Sequence, residues 1–185
     1  KPSVLADLLE RLTALSGSYL RGQVEAGVDA VQIFETWSGV LSVADWSSLV
    51  KPHLQNLLEQ VGELGVPRIL FMQNAAHLLE EMAALPAEGF SVDWRVDLAG
   101  LRQMLGPQKI LQGNLDPAIL LAGPESTSRA ARRLLQDVPR DGHIVNLGHG
   151  ILPQTPIDSV EALIGAVHNE AHKDPRGAAS ASNGE

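Results

Sequence analysis

Apolar residues recur at intervals of three and four between residues 4 and 24. Leu5, Leu8, Leu9, Leu12, Leu15, Tyr19, Leu20 and Val24 fall on one side of a helical wheel, which predicts an amphipathic helix ending near Gly27. The period then changes. A short β-branched run over 30–34 predicts a strand, and the polar loop Glu35-Thr36-Trp37-Ser38-Gly39 follows it. The same alternation repeats along the chain: helix 45–64 closing at Gly65, strand 67–72 with Gln73-Asn74 at its tip, helix 76–84, strand 90–94, helix 98–105 stopping at Gly106-Pro107, strand 109–112, helix 125–136, strand 144–147 and helix 157–172. The tail 173–185, rich in Ala, Ser, Gly and Asn, has little to bury and is expected to be disordered, leaving 1–172 as part of one domain.

Strands that alternate with helices imply right-handed βαβ units and a parallel sheet. About five such units are readable here, whereas a closed (βα)8 barrel has eight strands and typically 200 residues or more. Periodicity alone leaves two architectures, an open sheet or an incomplete barrel. No G-x-G-x-x-G or Walker pattern opens any predicted helix, which disfavours a nucleotide-binding open sheet.

Composition narrows the function classes. With 185 residues and 44% hydrophobic content the chain can bury a core. The balance of 14 Lys+Arg against 22 Asp+Glu, formal charge -8, disfavours a nucleic-acid surface. No apolar run approaches the roughly 20 residues of a membrane span, and Lys1-Pro2-Ser3-Val4-Leu5 lacks a signal-peptide core. With no cysteine there can be no disulfide, thiolate nucleophile or cysteine-ligated metal, and a cytoplasmic location is the simplest expectation.

Candidate chemistry sits at the predicted strand ends. In Asn146-Leu147-Gly148-His149-Gly150-Ile151-Leu152-Pro153 a histidine stands between two glycines just beyond a strand, a position suited to binding or proton transfer. A plainer role for it would be to hydrogen-bond the local backbone. One helix upstream, Gln112-Gly113-Asn114-Leu115-Asp116-Pro117 offers further polar groups; Asn114 and Asp116 suit an Asx-type turn that braces the rim. Asp93 and Trp94 end the third strand, as pocket residues or as inward-facing residues paired internally. Thr36 could serve a ligand or the nearby backbone. His53, His77, His143, His168 and His172 show no metal-ligand spacing and read as surface or packing residues, so no metal site is expected.

These motifs carry a resemblance. Phe34-Glu35-Thr36-Trp37-Ser38-Gly39, Val92-Asp93-Trp94, Gln112 to Pro117 and Asn146 to Pro153, in that order, resemble the C-terminal half of the uroporphyrinogen decarboxylase family, over about 18–168. The resemblance implies a (βα)8 barrel, usually a homodimer, that converts uroporphyrinogen III to coproporphyrinogen III by removing four acetate carboxyl groups, with no cofactor or metal. It implies substrate contacts at Thr36 and His149, with Asp93, Trp94, Asn114, Asp116 and Asn146 as pocket or supporting residues. The family's arginine-rich segment, its aspartate for the pyrrole N–H groups and its site tyrosine have no counterpart here. Tyr19 lies on the amphipathic helix instead. Catalytic groups are therefore expected outside this chain, which by itself should be inactive.

Protonation of a pyrrole ring carbon supplies the electron sink for decarboxylation, and a carboxylate aimed at the ring N–H groups stabilises the resulting cation. The substrate's carboxylates call for Arg, His and hydroxyl donors. Where the family often has a glycine after the second of these strands, this chain has Gln73-Asn74-Ala75-Ala76. Two alternatives stand beside the decarboxylase. One is a cobalamin-linked or thiol methyltransferase of the same superfamily, disfavoured by the lack of cysteine for zinc. The other is a non-catalytic fragment or interaction module with an exposed sheet edge.

Overall fold

The structure, a computed structural model, describes residues 1–171; the tail 173–185 and His172 lie outside the described residues. In chain order the elements are α1 (Pro2–Glu25), β1 (Val31–Glu35), α2 (Val43–Leu49), α3 (Lys51–Gly62), β2 (Arg68–Met72), α4 (Leu79–Ala83), β3 (Gly89–Val92), α5 (Leu98–Leu105), β4 (Ile110–Leu115), α6 (Pro124–Asp137), β5 (His143–Leu147) and α7 (Ile157–Ala171). The strands form one sheet in the order β1-β2-β3-β4-β5, and every neighbouring pair is parallel.

This sheet is a section of a barrel. The Gln112 amide donates to Gln32 Oε1 at 3.2 Å and to Ser91 Oγ at 3.1 Å. Gln32 is on β1 and Gln112 on β4, three strand spacings or roughly 14 Å apart in a flat sheet. Their side chains meet only because the sheet curls towards closure. On its concave face one row runs Phe34–Phe71–Ser91–Gln112–Ile144 across all five strands. The alternate residues Ile33, Leu70, Met72, Phe90, Val92 and Leu111 face the helices and form the main core.

The predicted elements are present, with three local differences. The helix predicted over 45–64 is two helices. Pro52 has no N–H for an intrahelical bond, and its ring would strike the carbonyl four residues back, so it occupies the first turn of a new helix. Ser42 caps α2, accepting the Asp45 N–H and donating to its carboxylate. β3 stops at Val92, leaving Asp93-Trp94 in the following loop, while β4 runs on to Leu115 and takes Asn114 into the strand.

Candidate active-site rim at the carboxyl ends of the strands

Because all five strands are parallel, Thr36, Asn74, Asp93, Asp116 and His149 follow their carboxyl ends on one rim. The loops of this rim interlock through close backbone contacts. A Cβ on Gly148 would lie 2.6 Å from Trp94 N and 2.9 Å from Asp93 Cα, so only glycine lets the β5 loop approach the β3 loop. A Cβ on Gly39 would likewise fall onto the Asn74 carbonyl, which ties the β1 loop to the β2 loop.

Asp93 anchors this arrangement. Its carboxylate is buried and accepts from the backbone N–H of Asn74, the backbone N–H of Arg95 at 2.9 Å and the Arg95 guanidinium at 3.2 Å. The same guanidinium lies 4.3 Å from the Trp94 ring centroid. With its oxygens engaged by the protein, Asp93 organises two loops. Asn74 adopts φ 54°, the left-handed region that glycine favours and asparagine tolerates. Asparagine thus supplies the turn expected of a glycine-containing tip.

The other sequence-predicted residues divide. His149 is exposed beyond β5 and forms a tilted ring pair with Phe71, centroids 6.4 Å apart; Phe71 in turn pairs with Phe34 at 5.7 Å. Thr36, two residues after Phe34, is also exposed. It is Glu35 that serves the nearby backbone, accepting from the Trp37 and Ser38 N–H groups and leaving the Thr36 hydroxyl unused by that turn. The Phe34–Phe71–His149 array therefore connects the loop bearing Thr36 with the loop bearing His149, from opposite edges of the sheet.

Asn114 is not part of an Asx turn. From its place on β4 it donates to the carbonyls of Asp93 and Val96 at 2.9 and 2.7 Å and holds the β3–α5 loop. Asp116 alone makes the predicted turn, accepting the Ala118 N–H at 2.9 Å. Exposed Asn146 accepts the N–H of Leu147. Trp94, Asn114 and Asp116 share a cleft of about 650 Å³ with α6 residues, and neither Thr36 nor His149 lines it. A larger cleft, about 830 Å³, is lined only by α6 residues and touches none of the strand ends. We place the candidate site by the converging strand ends, since volume alone selects a helix surface.

His143 and His77 each meet a backbone carbonyl, His143 half-buried and His77 at the surface. His143 Nε2 lies 2.9 Å from the Gly113 carbonyl, and burial pushes its pKa below the usual histidine value. His77 Nε2 lies 2.8 Å from the Leu41 carbonyl. Among the described residues no group of three or more His, Asp or Glu is placed to hold a metal ion. Sequence reasoning missed Phe71, Asn74 and Glu35. An asparagine two residues beyond an apolar strand was a usable signal for a left-handed turn; Phe71 carried none, because only curvature brings β2 and the loop after β5 together.

The family model described as "Uroporphyrinogen decarboxylase (URO-D)" matches residues 1–170. The chain belongs to the uroporphyrinogen decarboxylase family. Relatives named uroporphyrinogen decarboxylase include one from Nocardia farcinica, 43% identical over 173 residues, which cover 90% of this chain and 49% of that protein. Another, from Coxiella burnetii, is 39% identical over 181 residues, 95% of this chain and 50% of its own length. The chain thus spans about half the length of the curated relatives it matches. Among solved structures, a methyltransferase from Methanosarcina mazei superposes with TM-score 0.77 at 25% identity, covering 89% of this chain and 50% of that one. A putative vitamin-B12 independent methionine synthase from Listeria monocytogenes, TM-score 0.61 at 14% identity, covers 90% and 56% and shares the fold. For a uroporphyrinogen decarboxylase family chain these neighbours agree with a barrel of βα units.

Proposed function

We propose that this chain supplies the C-terminal half of a uroporphyrinogen decarboxylase, a carboxy-lyase of porphyrin biosynthesis that converts uroporphyrinogen III to coproporphyrinogen III without cofactor or metal. The observation that carries the reading is His149, exposed on the rim with its ring against Phe71 and no hydrogen bond or ion pair to its imidazole among the described residues. An imidazolium in that position can give a charge-assisted hydrogen bond to a substrate carboxylate. Thr36 offers a neutral donor from the loop at the other end of the aromatic array. Together they hold the macrocycle by its acid arms, so that binding energy orients the reacting arm.

In this reading the groups that stabilise the protonated pyrrole reside in an N-terminal half, along with the arginines that offset this half's charge of -8. The complete protein then acts on a porphyrinogen, as a homodimer in the cytoplasm. The test is uroporphyrinogen turnover by the 185-residue chain, alone and with a family N-terminal half supplied. We expect no turnover alone, turnover with both halves, and a drop of roughly tenfold in kcat/KM on His149→Ala, about 1.4 kcal/mol. Turnover by this chain alone refutes the division of labour; an unchanged kcat/KM removes His149 from the site.

A methyltransferase reading draws on the Methanosarcina mazei neighbour. It predicts corrinoid-dependent or thiol methyl transfer in place of decarboxylation, and the same preparation tests it.

A further inference from the structure

We propose that Phe71 is a positioning residue for His149, fixing where the imidazole stands over the concave face. His149 has little else to orient it. It lies between Gly148 and Gly150, its side chain is exposed, and among the described residues its imidazole makes neither a hydrogen bond nor an ion pair. Gly148 fixes the backbone before it against Asp93 and Trp94, whereas a Cβ on Gly150 would meet nothing within 4 Å, so no neighbour packs against that side of Gly150. Among the described residues the imidazole's one ring partner is Phe71, at 6.4 Å between centroids and 58° between planes. Separation and tilt both lie in the range that aromatic pairs prefer, where the edge of one ring meets the face of the other.

Phe71 is suited to hold another side chain because it is itself held. It is 6% exposed, sits within a paired strand, and has Phe34 at 5.7 Å beside it. A buried ring in a paired strand thus gives an exposed one a preferred seat. The contact runs from β2 to the loop after β5, a strand three places away, so it depends on the curl of the sheet. It therefore couples the placement of His149 to barrel curvature. The placement stands on geometry alone; its consequence for substrate rests on the proposed contact between His149 and a substrate carboxylate.

The placement is tested by NMR on the 185-residue chain, with the His149 imidazole signals identified by their loss in His149→Gln. Cross-relaxation between the Phe71 ring and the His149 imidazole is expected, together with a ring-current displacement of the imidazole signals. Phe71→Leu should abolish that displacement and Phe71→Tyr should retain it. Absence of cross-relaxation in the unsubstituted chain overturns the proposal even if Phe71→Leu fails to fold, and so do imidazole signals that stay in place in a folded Phe71→Leu. In the two-half turnover assay, Phe71→Leu should raise KM about threefold to tenfold at constant kcat, with Phe71→Tyr restoring it and no further rise in a His149→Gln background. An equal rise in that background overturns action through His149. If the NMR contact is present and His149→Gln leaves KM unchanged, the failure belongs to the carboxylate contact and the placement stands.

Discussion

Single side chains here bear unequal loads, and charge state separates them. Arg68 donates to the Glu88 carboxylate through Nε at 2.9 Å, through a second guanidinium nitrogen and through its backbone N–H at 2.8 Å. That partner pulls the Glu88 carboxyl from 4.5 down to about 2. The folded state therefore binds this proton more weakly than the unfolded chain does. The ion pair stabilises the fold fully above about pH 4.5, and its contribution fades as the pH falls through about 2. In urea melts across that window, Glu88→Gln is expected to flatten the acid loss of stability; an unchanged slope would assign the acid sensitivity elsewhere. The effect should be modest, since the Glu88 side chain is 43% exposed.

At the scale of elements, one residue fastens three of them at the amino ends of the strands. Arg102, on α5 and 8% exposed, donates to the Gly106 carbonyl at 3.0 Å, the Lys109 carbonyl at 2.5 Å and the Gly142 carbonyl at 2.9 Å. It joins the end of α5 to the starts of β4 and β5, remote from the rim. Arg102→Met keeps the length of the side chain but removes every donor, so the Gly106 and Lys109 carbonyls lose this guanidinium while the Gly142 carbonyl keeps only the Leu111 N–H at 2.8 Å. We expect about 3 kcal/mol of destabilisation, read as a lower urea midpoint. A loss below about 0.5 kcal/mol would mean that water reaches these carbonyls. On the opposite rim, Asp93, Asn114, Gly148 and Gly39 divide comparable work between side-chain and backbone contacts, and this is how the loops after β1, β2, β3 and β5 join the end of β4 in one surface.

For the whole molecule, curvature and open edges dominate. β1 and β5 each pair on one side only among the described residues, and α1 exposes Leu8, Leu15 and Tyr19. Unpaired strand backbone and an apolar helix stripe favour association. The mass of the 185-residue chain by light scattering should therefore rise with concentration, and Leu8→Lys with Leu15→Lys should reduce the rise; a monomer at every concentration would refute this. Much of the architecture was legible beforehand. The alternation of period 3.6 with β-branched runs marked five βα units, and the motifs at 34–39, 92–94, 112–117 and 146–153 carried the family resemblance, because both are local properties of residue order. The break at Pro52 was missed although its cause, a residue without an N–H, was visible. Asn114 was misread as a turn residue because its partners, the carbonyls of Asp93 and Val96, are about 20 residues away in sequence. Residue order alone thus established the elements, their parallel pairing and which loops carry polar groups. The curl of the sheet settled the rest: Gln32 on β1 meets Gln112 on β4, and Phe71 on β2 meets His149 in the loop after β5, and no local pattern encodes a distance that only closure brings within reach.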